Sequence, residues 1–330
     1  MQRLFLACAI VGAAASVKGE GPADVPRRDG LPPDFSCEGA GLVHRHRREG
    51  DADIYFVSNP ALTNVSAECL FRVTGKVPEF WDAADGSAKP APVFKDEGGQ
   101  TRLPLRLGPA GSLWIAFRPG ESKRHATRLV FTPVESREKT GLADGAYDVE
   151  LEKRGPLLLA WQPGTFEITL ADGRTVKKQV YEVPAPFAVD GPWRVRFQKG
   201  QGPAENVVLD RLGAWPRRAE AGLHDGFRGP VAYEKSVRVP DDLMGPGRRM
   251  MLDLGAVRDV AVVTLNGQEL GGLRKAPFVA DVTAQLKVGE NALRIEVTGR
   301  RDDRLSGGEP PAAGLLGPVC IRTVFELPGR

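Results

Sequence analysis

The chain has 330 residues and a net charge of +3. With 26% charged and 42% hydrophobic residues it has a globular composition, which excludes a disordered chain and leaves no overall charge footprint for nucleic acid. Its 39 glycines and 27 prolines make up a fifth of the sequence, against about 12% in an average protein; this argues against a helical bundle and suits many short strands joined by turns.

Residues 1–18 read as a secretory signal peptide. Arg3 supplies the positive start, Leu4 to Ala15 form an apolar run, and Ala13-Ala14-Ala15 offers a small-residue cleavage site. A run of about 12 residues is too short to cross a hydrocarbon core of about 30 Å, and no later apolar stretch is long enough. The expectation is a secreted chain, periplasmic or extracellular, with no membrane partner. Residues 19–35 are rich in Pro and Gly and read as a linker.

Residues 36–120 read as a β-sandwich unit. It opens with a hairpin in which Leu42–Arg48 and Asp53–Asn59 flank a Glu49-Gly50-Asp51 turn, and Leu103, Leu105 and Leu107 later alternate with Arg102 and Arg106. Residues 121–188 read as a small β unit, with a hairpin from Thr165–Leu170 to Thr175–Tyr181 across Asp172-Gly173. Residues 189–330 have the length of a two-sheet jelly roll. Trp193, Val195 and Phe197 alternate with Arg194 and Arg196, Asn266-Gly267 joins two short strands, and Asp281 caps a single turn ahead of Leu293, Ile295 and Val297. The predicted fold is all-β, with tandem β-sandwich domains ending in a jelly roll.

The residue types that carry chemistry are sparse. Beyond the leader, Cys37, Cys69 and Cys320 are an odd set with no CxxC pair; a Cys37–Cys69 bridge is left open, and Cys320 reads as a small buried hydrophobe. His44 and His46 share a strand face, but two ligands are too few for a metal, and His125 and His224 are distant in sequence. Glycoside hydrolysis needs two carboxylates about 5–10 Å apart. Among Asp225, Asp281, Asp302, Asp303 and Glu309 no such pair stands out. No GxSxG, HExxH, Walker or dinucleotide motif is present. The expectation is therefore no catalytic residue, no metal site and no cofactor, with a structural calcium in the jelly roll left open. Trp81, Trp161, Trp193 and Trp215 are candidate sugar platforms; Trp193 reads as core, and Trp215, near His224-Asp225-Gly226, as the better ligand contact.

Several strings together carry a resemblance. His44-Arg-His-Arg-Arg48, Gly50-Asp-Ala-Asp-Ile-Tyr-Phe-Val57, Phe71-Arg-Val-Thr-Gly75, Pro78-Glu-Phe-Trp-Asp82 and Leu103-Pro-Leu-Arg106 resemble a stretch that follows the catalytic barrel in α-L-rhamnosidase-like enzymes, glycoside hydrolase family 106. Leu170-Ala-Asp-Gly173, Asp190-Gly-Pro-Trp193 and Val263-Thr-Leu-Asn-Gly267 continue it, and the last unit is similar to the galactose-binding-like jelly roll of family 2 glycosidases. In that family the catalytic carboxylates lie in an upstream barrel of about 250 residues, for which this sequence has no room before the first match. No catalytic residue is carried over. The family's Leu-Trp-Lys-Pro-Pro-Phe is here Leu273-Arg-Lys-Ala-Pro-Phe278. A second tryptophan is missing from Gly299–Gly308. The resemblance implies a non-catalytic, carbohydrate-associated module that takes a polysaccharide or oligosaccharide and no nucleic acid. Its expected contacts are Trp215, His224, Asp225, Lys275, Phe278 and Arg304. The alternative is a subunit or truncated form of an α-L-rhamnosidase-like hydrolase with a separately encoded barrel.

Overall fold

The computed structural model describes residues 32–83, 86–134, 145–197, 207–213, 230–258, 260–298 and 314–329. The expected signal peptide, Trp215, His224, Asp225 and Arg304 lie outside the described residues. Nearly all regular structure is strand; among the described residues one 3-10 turn, Asp241–Leu243, interrupts it. No helix among them is long and apolar enough to cross a membrane.

The first unit packs two sheets face to face. One has the strand order Phe35–Cys37, Val65–Phe71, Gln100–Leu107, Lys95–Glu97; the other runs Val43–Glu49, Ala52–Ser58, Ser112–Pro119, Lys76–Trp81, Ala88–Pro90. The first strand begins at Phe35, inside the segment read as linker, because that ring packs 5.0 Å from Phe71 in the core. Leu103, Leu105 and Leu107 are buried as their alternation predicts, beside Tyr55, Phe71, Ile115 and Phe117. Each such side chain contributes about 1.5–3 kcal/mol by leaving water.

Beyond it, the three-stranded sheet Ala126–Pro133, Gly164–Leu170, Thr175–Val180 packs on a sheet whose order is Tyr147–Glu152, Gly155–Ala160, Cys320–Pro328, Arg248–Asp253, Val279–Asp281. This second sheet crosses the 188/189 division suggested by the sequence. The cause is the strand Gly155–Ala160. Its Leu158 and Ala160 enter the core around Phe166 and Ile168, while Leu157 and Leu159 enter another with Trp161 and Val324 on the opposite face. A strand apolar on both faces needs cover on both sides and a neighbour on each edge. The C-terminal strand supplies one edge, pairing Leu158 with Leu327 and Ala160 with Phe325.

The last unit is the jelly roll. A six-stranded sheet, ordered Val207–Leu209, Trp193–Phe197, Val231–Val239, Gly289–Thr298, Val260–Leu265, Gln268–Leu273, shares its core with Met250, Leu252 and Ile321 of the shared sheet. Trp193, Tyr233 and Ile295 lie at its centre. The Asn266-Gly267 turn has φ of 51° and 84°, the positive pair that a tight hairpin demands.

Candidate functional site

Two of the expected sugar contacts are described, and both have other duties. Phe278 is 8% exposed and faces the jelly-roll core, so its ring offers no free face for stacking. Lys275 Nζ lies 2.9 Å from Asp82 Oδ2 of the first unit. Asp281 caps the turn as expected, accepting from the Thr283 backbone N–H at 2.9 Å and its hydroxyl at 2.6 Å.

His44 and His46 do share a face, and it is turned toward carboxylates. His46 Nδ1 is 3.0 Å from Asp34 and Nε2 is 3.1 Å from Asp53, while its ring stacks on Tyr55 at 4.1 Å. Carboxylates only accept, so both bonds form together only when both ring nitrogens carry a proton. Lys76 Nζ reaches Asp53 at 2.6 Å. Burial opposes ionisation of Asp53, but hydrogen bonds from Lys76 and His46 outweigh it and hold the carboxyl below its usual range. Among the described residues no group of three or more His, Cys, Asp or Glu could hold a metal ion. The cluster locks one edge of the sandwich together.

A cavity of about 1180 Å³ lies where the first unit meets the small sheet. Arg106 crosses it, with its guanidinium 4.2 Å from the Tyr147 ring centroid and 3.6 Å from Asp148, and donates to the Tyr147 carbonyl. Asp148 also accepts from Trp161 Nε1 at 2.7 Å. Glu97, on the same wall, is held below the usual carboxyl range by hydrogen bonds from Lys95 and Arg102. Among the described residues, the carboxyls with displaced proton affinity (Asp53, Glu97 and Asp172) are all displaced downward. A glycosidic general acid requires the opposite direction.

The face of the five-stranded sheet turned away from the core carries a different arrangement. Tyr55, Ile115 and Phe117 point into the core, and alternation turns their neighbours outward. Phe56, Trp114 and Trp81 then fall in register across three adjacent strands, forming one row of rings, with Arg45 opposite Phe56 at its end. All three rings are half-buried, and Phe56 lies 4.8 Å from Trp114 at 49°. Ile54, Ala116 and Glu79 form the next row. Trp81 Nε1 donates to Glu79 at 3.2 Å, and Arg118 pairs with Glu79 at 3.3 Å while its guanidinium lies 5.2 Å from the Trp81 ring. Polar groups thus border an apolar, aromatic strip. Sequence reasoning named Trp81 but missed its companions. Their signal was an aromatic where alternation calls for a polar, outward residue.

The comparisons with known proteins agree with this architecture. The α-L-rhamnosidase family model matches residues 5–95. The solved rhamnosidase from Novosphingobium sp. PP1Y aligns with a TM-score of 0.60 at 25% identity, covering 88% of this chain and 25% of that one. A putative beta-glucuronidase of Formosa agariphila is 36% identical over 147 residues, 44% of this chain and 13% of the relative. A beta-glucuronidase of the same organism is 34% identical over 96 residues, 27% of this chain and 10% of the relative. The chain therefore spans from a tenth to a quarter of the length of these proteins. Fold and comparisons define a glycoside-hydrolase-related protein of tandem β-sandwich domains. Within that class it resembles the C-terminal β domains of α-L-rhamnosidase-like enzymes, with a galactose-binding-like jelly roll at its end.

Proposed function

We propose that this chain is a secreted, non-catalytic carbohydrate-associated module, and that Phe56, Trp114 and Trp81 form its sugar-contacting strip. The observation that carries the reading is the ring row on the sheet face turned away from the core, bordered by Arg45, Arg118 and Glu79. Aromatic faces pack on the C–H face of a pyranose, and flanking polar groups bond its hydroxyls. The test is retardation of the purified chain in native gels containing polysaccharides with rhamnose or uronic acids. Trp114→Ala is expected to remove the retardation while leaving the unfolding midpoint within a few degrees. No retardation of the parent chain across a broad panel overturns the strip, and release of rhamnose from an aryl rhamnoside by the chain alone overturns the non-catalytic role.

A second reading is favoured by the likeness of 88% of this chain to the Novosphingobium rhamnosidase, at a TM-score of 0.60. Here the chain is a subunit or truncated form of an α-L-rhamnosidase-like hydrolase of O-glycosyl bonds, with the catalytic barrel on another polypeptide. Co-purification of a barrel polypeptide that gains activity with this chain would replace the first reading.

A further inference from the structure

We propose that Cys37 and Cys69 are the two halves of a cross-strand disulfide that fastens the edge strand Phe35–Cys37 to the first sandwich. Cys37 stands opposite Cys69 in the antiparallel ladder with Val65–Phe71. The Arg72 N–H donates to the Asp34 carbonyl at 3.0 Å, which marks Asp34 and Arg72 as a hydrogen-bonded pair. Pairs alternate along an antiparallel ladder, so Ser36 and Leu70 are hydrogen-bonded and Cys37 and Cys69 are not. In such a non-bonded pair the Cα atoms approach to about 4.5 Å, within the roughly 4.4–6.8 Å that a disulfide spans.

The surroundings agree. Both thiols are unlinked in this structure. Cys69 is fully buried, and burial, then the neighbouring Cys37, push its thiol upward. Cys37 is half-buried and donates to the Ala40 carbonyl at 3.0 Å, so an oxidant reaches it first. Cys320 stands opposite Ala188 and Asp253 in another sheet and has no cysteine facing it.

The chemistry needs a disulfide-class oxidant. Oxidised glutathione forms a mixed disulfide with Cys37 and releases one glutathione; the Cys69 thiolate then attacks the Cys37 sulfur and expels the second. Two thiol hydrogens leave the protein as two protons and two electrons, and one glutathione disulfide becomes two thiols. The bond would fix the strand that also supplies Phe35, which packs on the His44 ring at 4.8 Å.

The full chain is incubated with oxidised glutathione, alkylated under denaturing conditions without reduction, digested with trypsin and analysed by mass spectrometry. The expected product is a reduction-sensitive peptide pair joining Cys37 to Cys69, with Cys320 alkylated. The oxidised chain is expected to unfold several degrees higher than the reduced one, a difference absent from the Cys37→Ser, Cys69→Ser double variant. Recovery of Cys37 and Cys69 as alkylated thiols, glutathione retained on Cys37, or a bridge to Cys320 each overturns the assignment.

Discussion

Lys275 Nζ and Asp82 Oδ2 lie 2.9 Å apart although the residues are separated by 193 positions, so this pair ties the jelly roll to the first sandwich. The side chains are 64% and 34% exposed, and an exposed ion pair contributes about 0–1 kcal/mol. Lys275→Ala is expected to shift the thermal midpoint by less than about 3 °C. It should also leave polysaccharide retardation unchanged, because the aromatic strip does not include it. Loss of retardation in native gels with this variant would return Lys275 to the sugar contacts.

Arg249 is the more consequential cation. Its side chain is 13% exposed, with Nε 2.9 Å from Glu326, Nη1 2.9 Å from Glu150 and Asp281 at 3.6 Å. It therefore joins strands from both sides of the shared sheet. Arg249→Met keeps the aliphatic stem but removes two charge-assisted hydrogen bonds, at an expected cost of about 2–4 kcal/mol. Urea unfolding measures it, and a change below about 0.5 kcal/mol would show the network to be ornamental.

Asp53 links stability to acid. Its folded carboxyl is held below the unfolded value by Lys76 and His46 against the effect of burial. The unfolded state consequently takes up the proton first. The stabilisation is complete above the unfolded value of about 3.9 and is lost as pH falls through the lower folded value. Asp53→Asn should be less stable than the parent chain at pH 6. The gap should shrink below about pH 4, read as thermal midpoints across pH 2.5–7. A gap independent of pH would remove the linkage.

Gly255 cannot carry a side chain. Its φ is +64°, and a Cβ would lie 2.5 Å from the Gly317 carbonyl carbon and 2.6 Å from its oxygen. Both obstacles are backbone, so neither can rotate away. Gly255→Ala is expected to cost at least about 3 kcal/mol, whereas Gly50→Ala, with a similar φ of +55° and nothing nearby, should cost about 1 kcal/mol. Equal costs in denaturant titrations would show that φ alone matters.

The sequence by itself determined the strands and which way their side chains point. Side chains alternate every second residue, so Trp193, Val195 and Phe197 had to face one way, and Asn266-Gly267 had to turn the chain. Period-2 alternation is silent about which distant strand lies alongside. Only the tertiary structure decided that Gly155–Ala160 borders Cys320–Pro328, and that Phe278 turns into the core. It alone set Trp81, Trp114 and Phe56 in one row, since ladder register between remote segments is chosen by packing across the whole sandwich.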